Sequence, residues 1–501
     1  MLPRAVYRLN RGLRIANASD LVIDGQGSRF VFTGLTGTEP NKGNGIEVVS
    51  SARVTLRAFT VDFDPLPFTQ GAVIQAADVA GGSYYDVRVD AGYRTDLAFF
   101  QENVSAAELS IHAFDAATRR HKPDVYWPMV RAVASPSAGV LRFSVAEPTS
   151  LTNIAVGDLL ATAAWRADAI FMSGDDHMVL DDVTVHSAYG VAFGETLGGG
   201  ATDARVCMTP GPPPAGATAE RLFSGIRGGW DSNGMTVGPY IHDSLLERAG
   251  DDLIVVDGPL APVVSAVGNA LTLPGPWPVA AGDSVIVFAG KSWGIRAAST
   301  VTSASGATVV LADTGGAGAG DFFSDLRFAG LGARIENNVL RDGDASGIVV
   351  NSQGASVVGN TLERIYLSGV ALFYSMGVWK VGPQPRDVTV RANHLSDVAE
   401  GRLARGGWAG LQIFVRRDPG ERASLLGSRA MSGLRMLDIP SPAAADGGCS
   451  CRTPMASTSP TTSSRPPTWR LPSSRRPSSV FRATRRSSST TRPTCASPET
   501  R

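Results

Sequence analysis

Three aspartates, Asp231 and the doublet Asp251-Asp252, lie about 20 residues apart in the stretch Trp230–Gly258, beside two short apolar runs, Met235–Val237 and Leu253–Val256. Carboxylates at this spacing suit acid–base chemistry. In a parallel solenoid, equivalent positions one coil apart stack at ~4.8 Å and diagonal ones at ~7–8 Å. Enzymes that hydrolyse a glycosidic bond with inversion hold their acid and base ~6.5–9.5 Å apart, which admits a water. Close like charges raise one another's pKa, so one member of such a group can remain protonated as the acid. Asp251, Asp252 and Asp231 are therefore the expected catalytic residues. The competing reading is that Asp and Gly are simply good corner residues of a coil.

The elements that would position them are strands of one sheet. Gly190–Phe193, Gly234–Val237, Leu253–Val256, Gly347–Val350 and Gly369–Leu372 read as its successive members. The residues just before them are Tyr189, Asp231 with Asn233, Asp251 with Asp252, Asp342 with Asp344, and Tyr366. Asn233, Asp342 and Asp344 are expected to bind substrate, with Trp230, Tyr189, Tyr366 and Trp379 as aromatic platforms for sugar rings. A second Gly174-Asp175-Asp176 leads by register into a different sheet. His177, His186 and His242 have no metal-ligand spacing, and no metal site is expected.

The chain around this stretch is a run of short strands separated by Gly, Asn, Ser and Asp turns, with no long helical period. The clearest repeat is Arg334-Ile335-Glu336-Asn337-Asn338, which returns as Val357-Val358-Gly359-Asn360 and Val390-Arg391-Ala392-Asn393. A step of about 22 residues is one coil of a three-sheet solenoid. Asn338, Asn360 and Asn393 should stack as an internal ladder at one corner, each amide satisfying the next. The fold class read from this is all-β, a right-handed parallel β-helix with two small inserted β-subdomains. The expected divisions are N-terminal coils 1–90, an insertion 91–167, central coils 168–258, a second insertion 259–330, C-terminal coils 331–446 and a tail 447–501.

The tail is rich in Ser, Thr, Pro and Arg and carries ten Arg against one acid, Glu499. With 46 basic and 46 acidic residues in all, the rest of the chain is acidic, and the neutral total hides this. Such a tail cannot bury enough apolar surface to fold, and reads as a disordered segment or as a gene translated out of frame. Of the four cysteines, Cys207, Cys449, Cys451 and Cys495, three fall in the tail, so no disulfide framework or zinc spacing emerges, and Cys207 reads as a small buried hydrophobe. No apolar run is long enough to span a membrane. No secretion signal is visible, although a glycan-directed protein suggests a secreted or periplasmic location.

At Asp231-Ser232-Asn233-Gly234 and Gly250-Asp251-Asp252-Leu253-Ile254-Val255-Val256 the chain resembles β-helix carbohydrate-active enzymes, including the polygalacturonase-type hydrolases. It is most similar to the α-1,3-galactosidases of glycoside hydrolase family 110. The shared features are the double-aspartate coil, the following subdomain with its Gly-Asp turn, Asp344-Ala345-Ser346-Gly347-Ile348-Val349-Val350, and Trp379-Lys380-Val381-Gly382-Pro383. It departs from that family at Gly250, Ser346 and Val381. The resemblance implies a glycosidase acting on a galactose-type or uronic-acid-containing glycan, needing no cofactor. Two alternatives use the same scaffold: a polysaccharide lyase with calcium held by these aspartates and Arg341 as base, or a non-catalytic glycan-binding β-helix. The expected partner is an oligosaccharide or polysaccharide, with no nucleic acid and no membrane.

Overall fold

A computed structural model describes residues 3–35, 43–122, 125, 127–164, 167–377, 379–399, 409–416 and 431–438. The expectation for the tail 447–501 lies outside the described residues. Two long parallel sheets dominate. One runs Leu13–Ala16, Ile46–Val49, Ile170–Ser173, Val191–Thr196, Gly228–Asn233, Ile254–Pro259, Ile348–Val350, Val370–Ser375 and Leu411–Arg416; it is called the site sheet below. The other bends within each coil. In successive coils it is made of pairs such as Arg334–Glu336 with Val339–Gly343, Ser356–Val358 with Thr361–Ile365, and Thr389–Arg391 with His394–Val398. Each coil thus has three faces, and the chain is a right-handed parallel β-helix.

The bend has a local cause. Ala58, Asp182, Asp243, Asn337, Gly359 and Ala392 all adopt a positive φ at equivalent places. A single left-handed residue turns the strand sharply without ending its ladder, and Asn, Asp and Gly tolerate that conformation best. Directly after three of these residues stand Asn338, Asn360 and Asn393. Asn338 Nδ2 donates to Asn360 Oδ1 and Asn360 Nδ2 to Asn393 Oδ1, each at 2.9 Å. The same amides also cap inward carbonyls of Ile241, Ile335 and Val357. The expected ladder is present.

Inside the coil, Ile46, Ile170, Phe193, Trp230, Ile254, Ile348, Val370 and Leu411 stand opposite one another in an unbroken row. All are buried. At about 1.5–3 kcal/mol for each fully buried large apolar side chain, such rows hold the stack together. Cys207 lies in the strand Asp203–Met208 and is buried, as its reading as a small buried residue expects.

Two antiparallel sheets interrupt the solenoid. The first contains Phe68–Val79, Gly82–Val89, Leu109–Phe114, Val130–Ser137, Val140–Val145 and Leu159–Ala164, with a helix at Leu97–Ser105. The insertion therefore begins near residue 68 and not at 91. The two long strands at its start alternate like solenoid strands but pair with each other in a hairpin. The second contains strands from Ala261–Pro262 to Phe322–Asp325. The first leaves the helix where the bent sheet hands over to the site sheet, and the second where the site sheet hands back. Its Phe288 packs on Tyr374, whose hydroxyl donates to the Trp293 carbonyl. The site sheet is thus walled on both sides.

Candidate active site

The strand carrying Asp231 is Gly228–Asn233, in register with Val191–Thr196 and Ile254–Pro259. This corrects the expected alignment, which placed Gly234–Val237 in the sheet. The sequence Gly-Gly-Trp-Asp-Ser-Asn has weak strand propensity beside Met-Thr-Val, yet its two glycines are needed. A Cβ at Gly228 or Gly229 would lie 2.7 or 2.4 Å from the carbonyl oxygens of Asp252 or Leu253. Asp231 stands inside the strand, between Gly194 and Val255.

Asp251 and Asp252 occupy the corner before Ile254. Asp252 Oδ1 accepts the Ser346 amide at 2.6 Å, and Asp251 Oδ1 accepts the Asp252 amide at 3.0 Å. Gly250 is required there, because a Cβ would stand 2.3 Å from the Ile226 carbonyl oxygen. By contrast, Asp175 of the other Gly-Asp-Asp is buried and takes amides of Ser51 and Ser173 at 2.7 and 3.0 Å, which is a corner-sealing role.

The structure adds residues the sequence reading missed. Asp168 precedes Ile170 as Asp252 precedes Ile254, and this shared Asp-x-Ile is the signal that could have found it. Its Oδ1 accepts the Val191 amide at 2.9 Å. Glycines 190 and 194 make room for its carboxylate, since a Cβ at either would approach an oxygen to 2.3 or 2.7 Å. Asp257 stands within the strand Ile254–Pro259, opposite Asn233, and accepts a hydrogen bond from Asn233 Nδ2. Arg227 supplies positive charge to Asp168, Asp231 and Asp251 together.

Electrostatics binds these acids into one group. Burial pushes Asp168 up to about 7, and the Asp231 charge adds to this. Burial also raises Asp231, with Asp252 adding and Arg227 opposing. Asp251 is raised well above the ordinary carboxylate range by burial and then by the Asp252 charge. Asp257 is raised well above it by burial, with Asp231 and Asp252 contributing. Carboxylates that disfavour one another's ionisation share fewer protons than they have sites, the condition under which a neutral acid and an ionised base coexist.

Other expected site residues are placed elsewhere. Trp230 is fully buried and stacked on Phe193, and Tyr189 is buried against Phe63 and Phe99, so neither is a sugar platform. Sequence cannot tell which of two residues at a coil corner turns inward. Tyr366 is also buried, its hydroxyl donating to the Val125 carbonyl at 2.6 Å. Asp342 takes two hydrogen bonds from Arg364, at 2.6 and 2.9 Å. Trp379 is exposed. Arg341 is ion-paired with Glu247 across neighbouring strands of the bent sheet, which takes the lyase reading's base away from the carboxylates.

Asp344 is 1% exposed and meets two histidines of the first insertion. His112 Nδ1 hydrogen-bonds its Oδ2, and His121 Nε2 lies 2.7 Å from its Oδ1. Burial is the largest influence and pushes this carboxyl up, but the two imidazoles outweigh it and hold it below its ordinary value. Asp344 is therefore no substrate ligand. His112 and His121 were not singled out because nine residues separate them, and only the hairpin brings them together.

No protein-family model and no curated protein matches the chain. Solved structures it is similar to include the A-module of the mannuronan C-5 epimerase AlgE4 of Azotobacter vinelandii, at 8% identity over 86% of this chain and 89% of that one, with a TM-score of 0.25. Two more are the periplasmic alginate epimerase AlgG, at 9% over 87% and 76% with a TM-score of 0.26, and a glycoside hydrolase, at 8% over 83% and 89% with 0.28. At such values function must be read from the chain's own site.

Proposed function

We propose that the chain is a glycoside hydrolase that inverts the configuration at the bond it cleaves, acting on a galactose-type or uronic-acid-containing glycan. The observation that carries this is the group of Asp168, Asp231, Asp251, Asp252 and Asp257 along the walled site sheet, with Arg227 as countercharge. Asp231 lies within the strand Gly228–Asn233 and Asp252 at the corner that leads into the adjacent strand Ile254–Pro259, close enough for the Asp252 charge to raise the Asp231 carboxyl. Inversion requires these two carboxyl groups to stand ~6.5–9.5 Å apart, with room for a nucleophilic water between them.

The roles follow from the environments. Asp251 and Asp231, both held toward the protonated form, can give a proton to the departing oxygen. Asp252, fixed by the Ser346 amide, can take the proton of the attacking water. No cofactor enters this scheme.

A panel of aryl-glycosides and polysaccharides tests it, with product anomers followed by NMR. Release of a reducing sugar with inverted configuration supports the reading. An unsaturated uronate product, or saccharide binding without turnover of any substrate, overturns it in favour of elimination or of a binding protein. Replacing the leaving group then assigns the acid: a variant lacking it keeps turnover of substrates with acidic phenols and loses it on alkyl glycosides, whereas a variant lacking the base loses both.

A further inference from the structure

Where the first insertion rests on the solenoid, the strand Leu109–Phe114 turns through Asp115–Arg120 and comes back at His121, which bridges Phe114. Alternation along this hairpin places His112 and His121 on one face. That face meets Asp344, which follows the strand Val339–Gly343 of the solenoid. One nitrogen from each ring and one Asp344 oxygen all lie within 4.8 Å of one another.

Three features distinguish this group from an ordinary hydrogen-bonded cluster. It is shut away from water, with side-chain exposures of 0% for His112, 9% for His121 and 1% for Asp344. His121 Nε2 and Asp344 Oδ1 are 2.7 Å apart and both are buried, yet among the described residues neither atom has a well-aligned hydrogen-bond partner. The two atoms are close without pointing along each other, as donors aimed at a shared third point would be. Finally, His112 Nε2 is tied to Ser110 Oγ at 2.9 Å, which leaves Nδ1 for the group and fixes the ring. A hydrogen bond on the far nitrogen is how metal-ligating imidazoles are oriented. Trp127 and Phe223 pack on the His112 ring and Tyr366 on that of His121, giving an apolar surround.

We propose that His112 Nδ1, His121 Nε2 and the Asp344 carboxylate bind a first-row divalent transition ion of the zinc type, which fastens the first insertion to the solenoid beside the carboxylate group. Two imidazoles and one carboxylate match that ion class; calcium and magnesium take oxygen-only sets. Small side-chain rotations bring the three atoms to the ~2.0–2.2 Å bonds such ions form. The ion replaces the missing hydrogen bonds and offsets the cost of burying a carboxylate between two rings.

The test uses the full chain, depleted of metal by chelation. Cobalt(II) titration is followed by its visible absorption, and zinc binding by metal analysis and thermal unfolding. The expected result is about one ion bound per chain, a thermal midpoint raised by zinc and not by calcium, and a strong cobalt band of low-symmetry coordination. His121→Ala and Asp344→Asn should each abolish the band and the zinc-dependent shift. Because either variant could unfold, protease cleavage within 109–122 of the depleted wild-type chain is measured in parallel and should be suppressed by zinc. Absence of a band and of any zinc response in the wild-type chain overturns the proposal, as does undiminished binding by a folded His121→Ala chain.

Discussion

Neighbouring aspartates in this chain do unlike work, because what surrounds each carboxyl sets its protonation. Asp251→Asn, Asp252→Asn and Asp231→Asn preserve side-chain size and an acceptor oxygen, and none of the three belongs to the apolar core. Each is expected to lower turnover by a factor of about 10²–10⁴ while the far-ultraviolet circular dichroism stays unchanged. Wild-type turnover in the Asp251 and Asp252 variants would place the chemistry elsewhere. Asp168 gives a separate prediction. Its folded-state pKa of about 7 exceeds the ordinary 3.8, so folding favours its protonated form. Its contribution to stability is therefore complete below about pH 4 and declines as pH rises toward 7. Asp168→Asn keeps an oxygen for the Val191 amide and cannot ionise. The variant should gain thermal stability relative to wild type between pH 4 and 8, with no divergence at lower pH; parallel midpoints across that range would contradict the assignment.

At the scale of the coil, the asparagine corner is a ladder of buried amides in which each rung completes the next. Asn360→Ala leaves both the backbone and side-chain nitrogens of Asn338 without the oxygen they share. A loss of about 1–3 kcal/mol per stranded group is expected, read from urea unfolding, whereas a surface substitution such as Arg391→Ala should cost far less. This corner was legible in the sequence because its residues repeat at the coil length. The site sheet was legible for the same reason wherever its strands are aliphatic, as in Ile254–Pro259, Ile348–Val350 and Val370–Ser375. It was misread at Gly228–Asn233, where close backbone approach demanded glycine and left no hydrophobic pattern to follow. Arg227, His112 and His121 stayed hidden because their partnership is made by register and by a hairpin that no local motif announces, whereas Asp168 carried a local signal in its Asp-x-Ile.

For the whole molecule, the two insertions leave the helix on opposite flanks of the site sheet, and the coils on either side of each one still stack in register. Ile46 pairs with Ile170 and Ile254 with Ile348, as if the intervening chain were absent. The Ser51 amide reaches Asp175 across 124 residues of sequence. Joining two coils across an open loop of that length carries an entropic cost that grows with the logarithm of the loop. An insertion that has already folded brings its own ends together and shortens the effective loop. Refolding should then be ordered in time: amides of the sheet spanning Phe68–Ala164 should become protected from hydrogen exchange before those of Ile170–Ser173, in a pulse-labelling experiment. Simultaneous protection of the two would refute that order. The walls that confine the site sheet in the finished protein would then also be its folding clamps, each drawing together two coils that the sequence holds far apart.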